Sequence, residues 1–338
     1  MNLRPLRTWL VLCCLCLWVL TGCTSSLAPD PKAGDISTAV PLNLGFSPNP
    51  SYLPWLVARK EDLFEARQQN IDAKWFEEYG EAVAALESGL LDLNPQSAID
   101  TIRSVAAGAD LSIVLVSDRS MGNEKIIASD AIQTIADLKG KKIALARGAA
   151  HHLLLFIGLQ RAKLSLEDVE IEVLDAEQAV EAFVSGEVEA IGLSAPHTTF
   201  ALARNGSREL WSSVNFPGLF FNTLSVRRQI LDRYPEKVRG AVEVWFETLD
   251  FIRENPEKTE EMMADRADVT IEQYRNYDSR FKSLSLAENS VLFESDKTLD
   301  SFPVALKTLA QLLVESGSIE LRPELTTLLN RQFLSLDN

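Results

Sequence analysis

The chain has 338 residues, 46% of them hydrophobic and 24% charged, with a formal net charge of −15. That is enough chain for two domains with cores of their own. The acid excess argues against a nucleic-acid partner, since phosphate contacts need surfaces of lysine and arginine. Three histidines, no His-x-x-x-His pair and no cysteine cluster beyond the N-terminus argue against a metal site, and no cofactor is expected.

In chain order, Arg4 and Arg7 precede an apolar run from Trp9 to Leu20 and then Thr21-Gly22-Cys23. A basic start, a short apolar core and small residues before a break read as a secretory signal over residues 1–22. The run is too short for a bilayer, which takes about 20 apolar residues. Residues 23–39 are polar and contain Pro29, Pro31 and Gly34, as in a flexible spacer. No later stretch is long and apolar enough to span a membrane, so a soluble body is expected after the signal.

From residue 40 the pattern alternates. Strands are expected over Val40–Phe46, Ile71–Phe76, Leu90–Leu93 and Leu111–Ser117, with helices over Tyr52–Phe64, Tyr79–Ser88 and Pro95–Ala107, the last entered through proline at its first position. A second alternation begins near Ile132. Its strands are Lys142–Ala146, Val169–Leu174 and Val188–Leu193, and its helices Ala150–Ala162, Ala176–Ser185 and Pro196–Arg204. Phe220–Val226 returns as a strand. Beyond Arg227 the chain reads as helical, with Val238, Val242, Trp245, Phe246, Leu249 and Ile252 forming one stripe and Asn255-Pro256 breaking it. Alternating strands and helices predict an α/β fold with mostly parallel sheets.

Two segments are written almost alike. Glu81–Ala98 and Gln178–Ala195 are identical at seven of eighteen positions, including Gly89/Gly186 and Ser97/Ser194. Each reads as an amphipathic helix, a glycine in the left-handed C′ position, and a strand ending in a polar loop. Open α/β sheets place ligands at such carboxyl ends of strands.

Leu20-Thr21-Gly22-Cys23 resembles the bacterial lipobox, which implies cleavage before Cys23 and its lipidation. Further motifs resemble the type-II periplasmic substrate-binding proteins of the nitrate/sulfonate/taurine class, the solute receptors of ABC importers. They are Leu53–Phe64 (LPWLVARKEDLF), Ala85–Asp92 (ALESGLLD), Asp137–Ala144 (DLKGKKIA) leading to Gly148, Leu164–Val169 (LSLEDV), Ala182–Ala190 (AFVSGEVEA) and Ala195-Pro196. The resemblance implies two lobes joined by two crossover strands: residues 40–120 and 226–338 in lobe one with its helical C-terminal region, 121–225 in lobe two. It implies a monomer, lipid-anchored in the periplasm or at the cell surface, that closes on a solute and docks on permease and ATPase subunits.

Several loops are candidates to hold that solute. Asp118 and Arg119 lead into Ser120-Met121-Gly122-Asn123-Glu124 at the first crossover, where related receptors carry Ser-x-Gly-(Ala/Asn)-Asp; here glutamate is the acid. Arg147, Gly148 and His151 join a strand to a helix start, where exposed N–H groups favour negative charge. The resemblance puts the loop Ser47–Tyr52 at the cleft mouth, with Tyr52 or Trp55 as walls; at its helical spacing Trp55 reads more often as core. Glu77, Glu78 and Tyr79 follow the second strand, and Gln96, Ser97, Pro196, His197 and Asn222 complete the rim. Arg119, Arg147 and His151 favour an anion; Glu78, Asp118 and Glu124 favour a cation. The Ser-x-Gly-Asn-acid pattern and Asn215–Gly218 also resemble a branch associated with guanidine or urea. An enzyme is the competing reading, because the fold resembles yeast thiamine-pyrimidine synthases; their cysteine-rich motif is missing here. A pyrimidine precursor therefore stands as the alternative solute.

Overall fold

The computed structural model describes residues 40–146, 149–216, 218–294 and 301–335. Val40–Asn338 forms one compact unit. The signal segment, Cys23 and the spacer lie outside the described residues.

The strands are β1 (Leu42–Phe46), β2 (Ile71–Trp75), β3 (Leu93–Ser97), β4 (Leu111–Ser120), β5 (Lys125–Ser129), β6 (Lys142–Ala146), β7 (Glu170–Leu174), β8 (Ala190–Leu193), β9 (Ser207–Ser212), β10 (Phe221–Arg227) and β11 (Phe281–Ser283). The helices are α1 (Pro54–Lys60), α2 (Leu63–Ala66), α3 (Tyr79–Ser88), α4 (Ala98–Ala106), α5 (Ala149–Arg161), α6 (Ala176–Ser185) and α7 (His197–Ala203). After β10 come α8 (Arg228–Arg233), α9 (Pro235–Glu254), α10 (Pro256–Arg266), α11 (Ile271–Asp278), α12 (Leu286–Glu294) and α13 (Phe302–Glu315).

They build two sheets, ordered β11-β4-β10-β3-β1-β2 and β7-β6-β8-β5-β9. The expected parallel pairing holds where strand and helix alternate: β1 with β2 and β3, β6 with β7 and β8. The other pairings are antiparallel, so both sheets are mixed. The chain leaves the first sheet after β4 and re-enters it at β10, the strand beside β4. Ser120 N donates to Phe220 O at 2.8 Å, closing the excursion where it opened.

Three segments differ from the sequence reading. Pro95 sits inside β3, not at a helix start; β1 pairs with β3 only through Leu44↔Leu93, so beyond Leu93 one side of β3 asks for no ladder donor. The helix starts instead at Ala98, where Ser97 Oγ accepts from Asp100 N at 3.0 Å. The helix expected over Tyr52–Phe64 breaks at Asp62, which takes a left-handed conformation between α1 and α2. The sequence reading also passed over β5, β9 and β11.

Period-two alternation sorts the second sheet's side chains. Ile126, Ile143 and Leu145 join the large core that reaches Val116, Leu44 and Trp55, whereas Ile127, Ala144 and Ile191 pack with Phe183 of α6. Trp55 is core: its ring lies 5.0 Å from Trp245 of α9 and stacks on Phe64. The expected α9 stripe is fully buried at Val238, Val242 and Trp245 and half-buried toward Ile252. Gly89 and Gly186 end α3 and α6 at φ +84, and Ala82, Ala85 and Leu86 of the one helix match Ala179, Ala182 and Phe183 of the other as their buried residues.

Candidate functional site

A polar cluster lies where the two sheets meet, at the ends of β3 and β4 and the start of β10. Asn222 is its hub. Its Nδ2 donates to Asp118 Oδ1 at 2.8 Å and to Ser51 Oγ at 2.9 Å, and its Oδ1 accepts from Tyr52 OH at 2.9 Å. Antiparallel pairing sets Asn222 opposite Asp118, so strand register makes this contact. Asp118 is only 2% exposed. Burial pushes its carboxyl up to about 7; hydrogen bonds from Asn222 and Ser51 pull down, and the charges of Asp278 and Glu124 add to the rise. Burial likewise raises the Tyr52 phenol.

Tyr52 stacks on Tyr79 with ring centres 5.9 Å apart. Tyr79 OH donates to Asp100 Oδ2 at 2.6 Å and accepts from Ser97 N at 3.1 Å, while Ser97 Oγ donates to the same Asp100 oxygen. The first turn of α4 is thus filled by its own carboxylate.

The second half of the cluster is the connection from β4 to β5. Ser120 Oγ donates to Glu124 Oε2 at 2.6 Å, and Asn123 Nδ2 to Glu124 Oε1 at 3.1 Å. Asn123 Oδ1 accepts from Ala195 N, and His151 Nε2 meets Ser194 Oγ at 2.9 Å. Ser213, on the returning connection, accepts from Gly122 N at 3.0 Å and lies 3.0 Å from Ser120 Oγ. The two passages between the sheets are therefore bonded to each other within the cluster. Burial lowers His151 below its ordinary value, against the charge of Glu124.

Of the expected residues, Tyr52, Tyr79, Asp118, Ser120, Asn123, Glu124, His151 and Asn222 come together here. Ser47 is buried at the end of β1, with Ser51 of the same loop making the contact to Asn222. Gln96 is not open to a solute: it is fully buried, accepting from Asn94 and donating to Thr101. Glu78 is exposed at the N-cap of α3, and Pro196 is half-buried at the start of α7. Arg147 and Gly148 lie outside the described residues. Ser51 lay within the candidate loop, but Asp100 and Ser213 were missed; Ser97-x-x-Asp100 is a helix-start signal, and nothing local marks Ser213. Among the described residues no group of three or more His, Cys, Asp or Glu could hold a metal ion, and no helix is long and apolar enough to cross a membrane.

The model of the NMT1-like family matches residues 37–266. The chain belongs to the NMT1-like family. Among its relatives is a Brucella abortus protein named as a binding protein, 26% identical over 275 residues, covering 78% of this chain and 82% of that one. Among solved structures, the periplasmic aliphatic sulphonate binding protein SsuA of Escherichia coli superposes with a TM-score of 0.74 at 22% identity, over 86% of this NMT1-like chain and 92% of SsuA. The desulfurization enzyme DSZB also shares the fold, with a TM-score of 0.62 at 14% identity over 87% and 97% of the two chains. At these identities the structural likeness speaks to the fold, which is that of periplasmic binding proteins.

Proposed function

We propose that this chain is the substrate-binding component of an ABC importer. It captures a small solute between its two sheets and delivers it to the permease and ATPase subunits. The observation that carries the reading is the bonding of both inter-sheet connections into one buried polar cluster through Ser120, Ser213 and Gly122. A solute touching Ser120 or Glu124 touches the segments about which the lobes turn, so occupancy and closure are one event. The lobes of this reading are residues 40–120 with 226–338, and 121–225; the pairing of β10 with β3 and β4 supports drawing the second boundary before Phe221 instead. The names of the relatives support a binding role. The solute class they suggest is a sulfonate; nitrate, taurine, guanidine and urea are the other members of the test set. Leu20-Thr21-Gly22-Cys23 supports a periplasmic or cell-surface location through lipid on Cys23, and nothing in the reading requires more than a monomer.

Thermal unfolding of the full chain, purified in detergent, with nitrate, bicarbonate, taurine, methanesulfonate, guanidinium, urea and a thiamine-pyrimidine precursor tests this. A solute at 100 times its Kd adds about 2.7 kcal/mol. No shift with any of them counts against the receptor, and turnover of a bound compound replaces it with an enzyme.

A further inference from the structure

We propose that Arg280 is a positioning residue of the hinge: from the first lobe it grips the outgoing connection and faces the edge of the second sheet, and so sets the angle at which the two lobes rest. The proposal rests on the two-lobed receptor reading above and adds the part that holds the angle.

Strand β11 runs antiparallel along the last residues of β4, with Phe281 opposite Ser120. The ladder goes one step beyond β4: Arg280 O accepts from Met121 N at 2.6 Å, inside the first connection. The Arg280 side chain then takes the next residue, Nη1 donating to Gly122 O at 3.5 Å. Its Nη2 donates to Asn276 Oδ1 of α11 at 2.8 Å, which anchors the guanidinium on the first lobe. Gly122 N meanwhile donates to Ser213 Oγ of the returning connection at 3.0 Å. One hinge residue is therefore held at its N–H by the return passage and at its carbonyl by the first lobe. Gly122 stands at φ +102, a conformation open to glycine at little cost. A Cβ there would meet nothing nearer than Val214 Cγ2 at 3.7 Å, so conformation and not space calls for glycine. Such a residue can absorb the backbone turn of a swivel, and Arg280 is placed as its stop.

The charge of Arg280 reaches past the connection. Glu209 lies on β9, the edge strand of the second sheet, and its side chain pairs with Lys125 of the neighbouring β5. Burial pushes the Glu209 carboxyl up, but hydrogen bonds from Lys125 and Ser212 and the charges of Lys125 and Arg280 outweigh it and hold the group below its ordinary value. Glu209 thus answers two cations, one from its own sheet and one from the other lobe. Turning the lobes changes the separation of Arg280 and Glu209 but not the Lys125 pair, which is internal to the second sheet. The buried Nε of Arg280 has no hydrogen-bond partner among the described residues, which leaves a donor to be matched at another angle.

Electron–electron distance measurements on the full chain in detergent, with no solute added, test this. Nitroxides are carried on ketone side chains replacing Ala84 and Glu181, exposed positions of the matching helices α3 and α6. We expect Arg280→Gln to broaden the distance distribution and move its maximum while the melting transition stays cooperative. Arg280→Lys keeps the charge toward Glu209 and loses the planar fork, so its distribution should fall between the two. Raising KCl to about 0.5 M, where charges are screened within about 4 Å, should broaden the wild-type distribution and leave R280Q unchanged. An R280Q distribution that matches wild type overturns the proposal. So does a broadening that R280K shares in full and salt does not reproduce, which would reduce Arg280 to a packing residue. Should R280Q lose its cooperative transition, the salt response of wild type against R280K decides, and a wild type indifferent to salt overturns the proposal. Because no solute enters the measurement, either result leaves the receptor reading to the thermal-unfolding experiment above.

Discussion

Replacing Asp118 with asparagine should make the unliganded protein more stable at high pH. In the folded chain burial holds this carboxyl's proton until about pH 7, against an ordinary value of 3.8. Between those values the folded state binds more protons than the unfolded one, so stability falls as pH rises through the window. Its span is worth about 4 kcal/mol at 1.36 kcal/mol per pH unit, an upper bound that relaxation reduces. Asparagine has nearly the same shape, and its Oδ1 can still accept from Asn222 Nδ2, so the hub survives. Urea unfolding at pH 5, 6, 7 and 8 should find D118N close to wild type at pH 5 and ahead by about 2–4 kcal/mol at pH 8, with m unchanged. Parallel stability profiles for the two proteins, or a D118N less stable at pH 8, would refute the idea that this acid is held at a cost. Loss of solute binding in the same variant would make Asp118 a residue retained for its ligand.

Other outcomes follow from particular contacts. Asn289 is fully buried, accepting from Val116 N at 2.8 Å and donating to Val116 O at 2.9 Å; Asn289→Ala strands both backbone groups and should cost about 2–4 kcal/mol in urea unfolding. Gly186→Ala meets nothing closer than Arg204 Nη2 at 3.7 Å, so it should cost about 1–2 kcal/mol through backbone strain alone. Gly89→Ala meets the Arg227 guanidinium at 2.8–3.0 Å and should cost more; melting curves in the reverse order would count against this ranking. Cys23→Ser should move the protein from the membrane to the soluble fraction on cell fractionation, and persistence in the membrane would reject the lipid anchor.

Much of the scaffold was legible because its signals are local. Helices α3 and α6 were read with their ends, since the left-handed glycine that stops each is written in the sequence at Gly89 and Gly186. Strand β3 was misplaced because Pro95 carries a strong helix-start signal, which an antiparallel partner more than a hundred residues later overrides. Strands β9 and β11 are short and largely polar, so alternation gives little to count. In the site, individual residues such as Asp118 and Asn222 could be named from loop position, but not their bond. It joins residues 104 apart, and the link from Asn222 to Ser51 spans 171. Ser213 became part of the cluster only through the meeting of the two connections. Gln96 is bonded inward, to Asn94 and Thr101, which composition cannot reveal.

The bond from Ser120 N to Phe220 O has a consequence for how such proteins diversify. The whole second sheet, with α5, α6 and α7, hangs from one point on the first, between two strands already paired with each other. It is a cassette with touching ends. Exchanging residues 121–219 for the matching stretch of a relative would leave all six strands of the first sheet with their partners. The seams to refit include α5 against α4 and α13, His152 against Ser318, and Met121 and Gly122 against Arg280. Half of the polar cluster, Glu124, His151 and Ser213 among them, would travel in one graft, while Asp118, Asn222 and Tyr52 stayed behind.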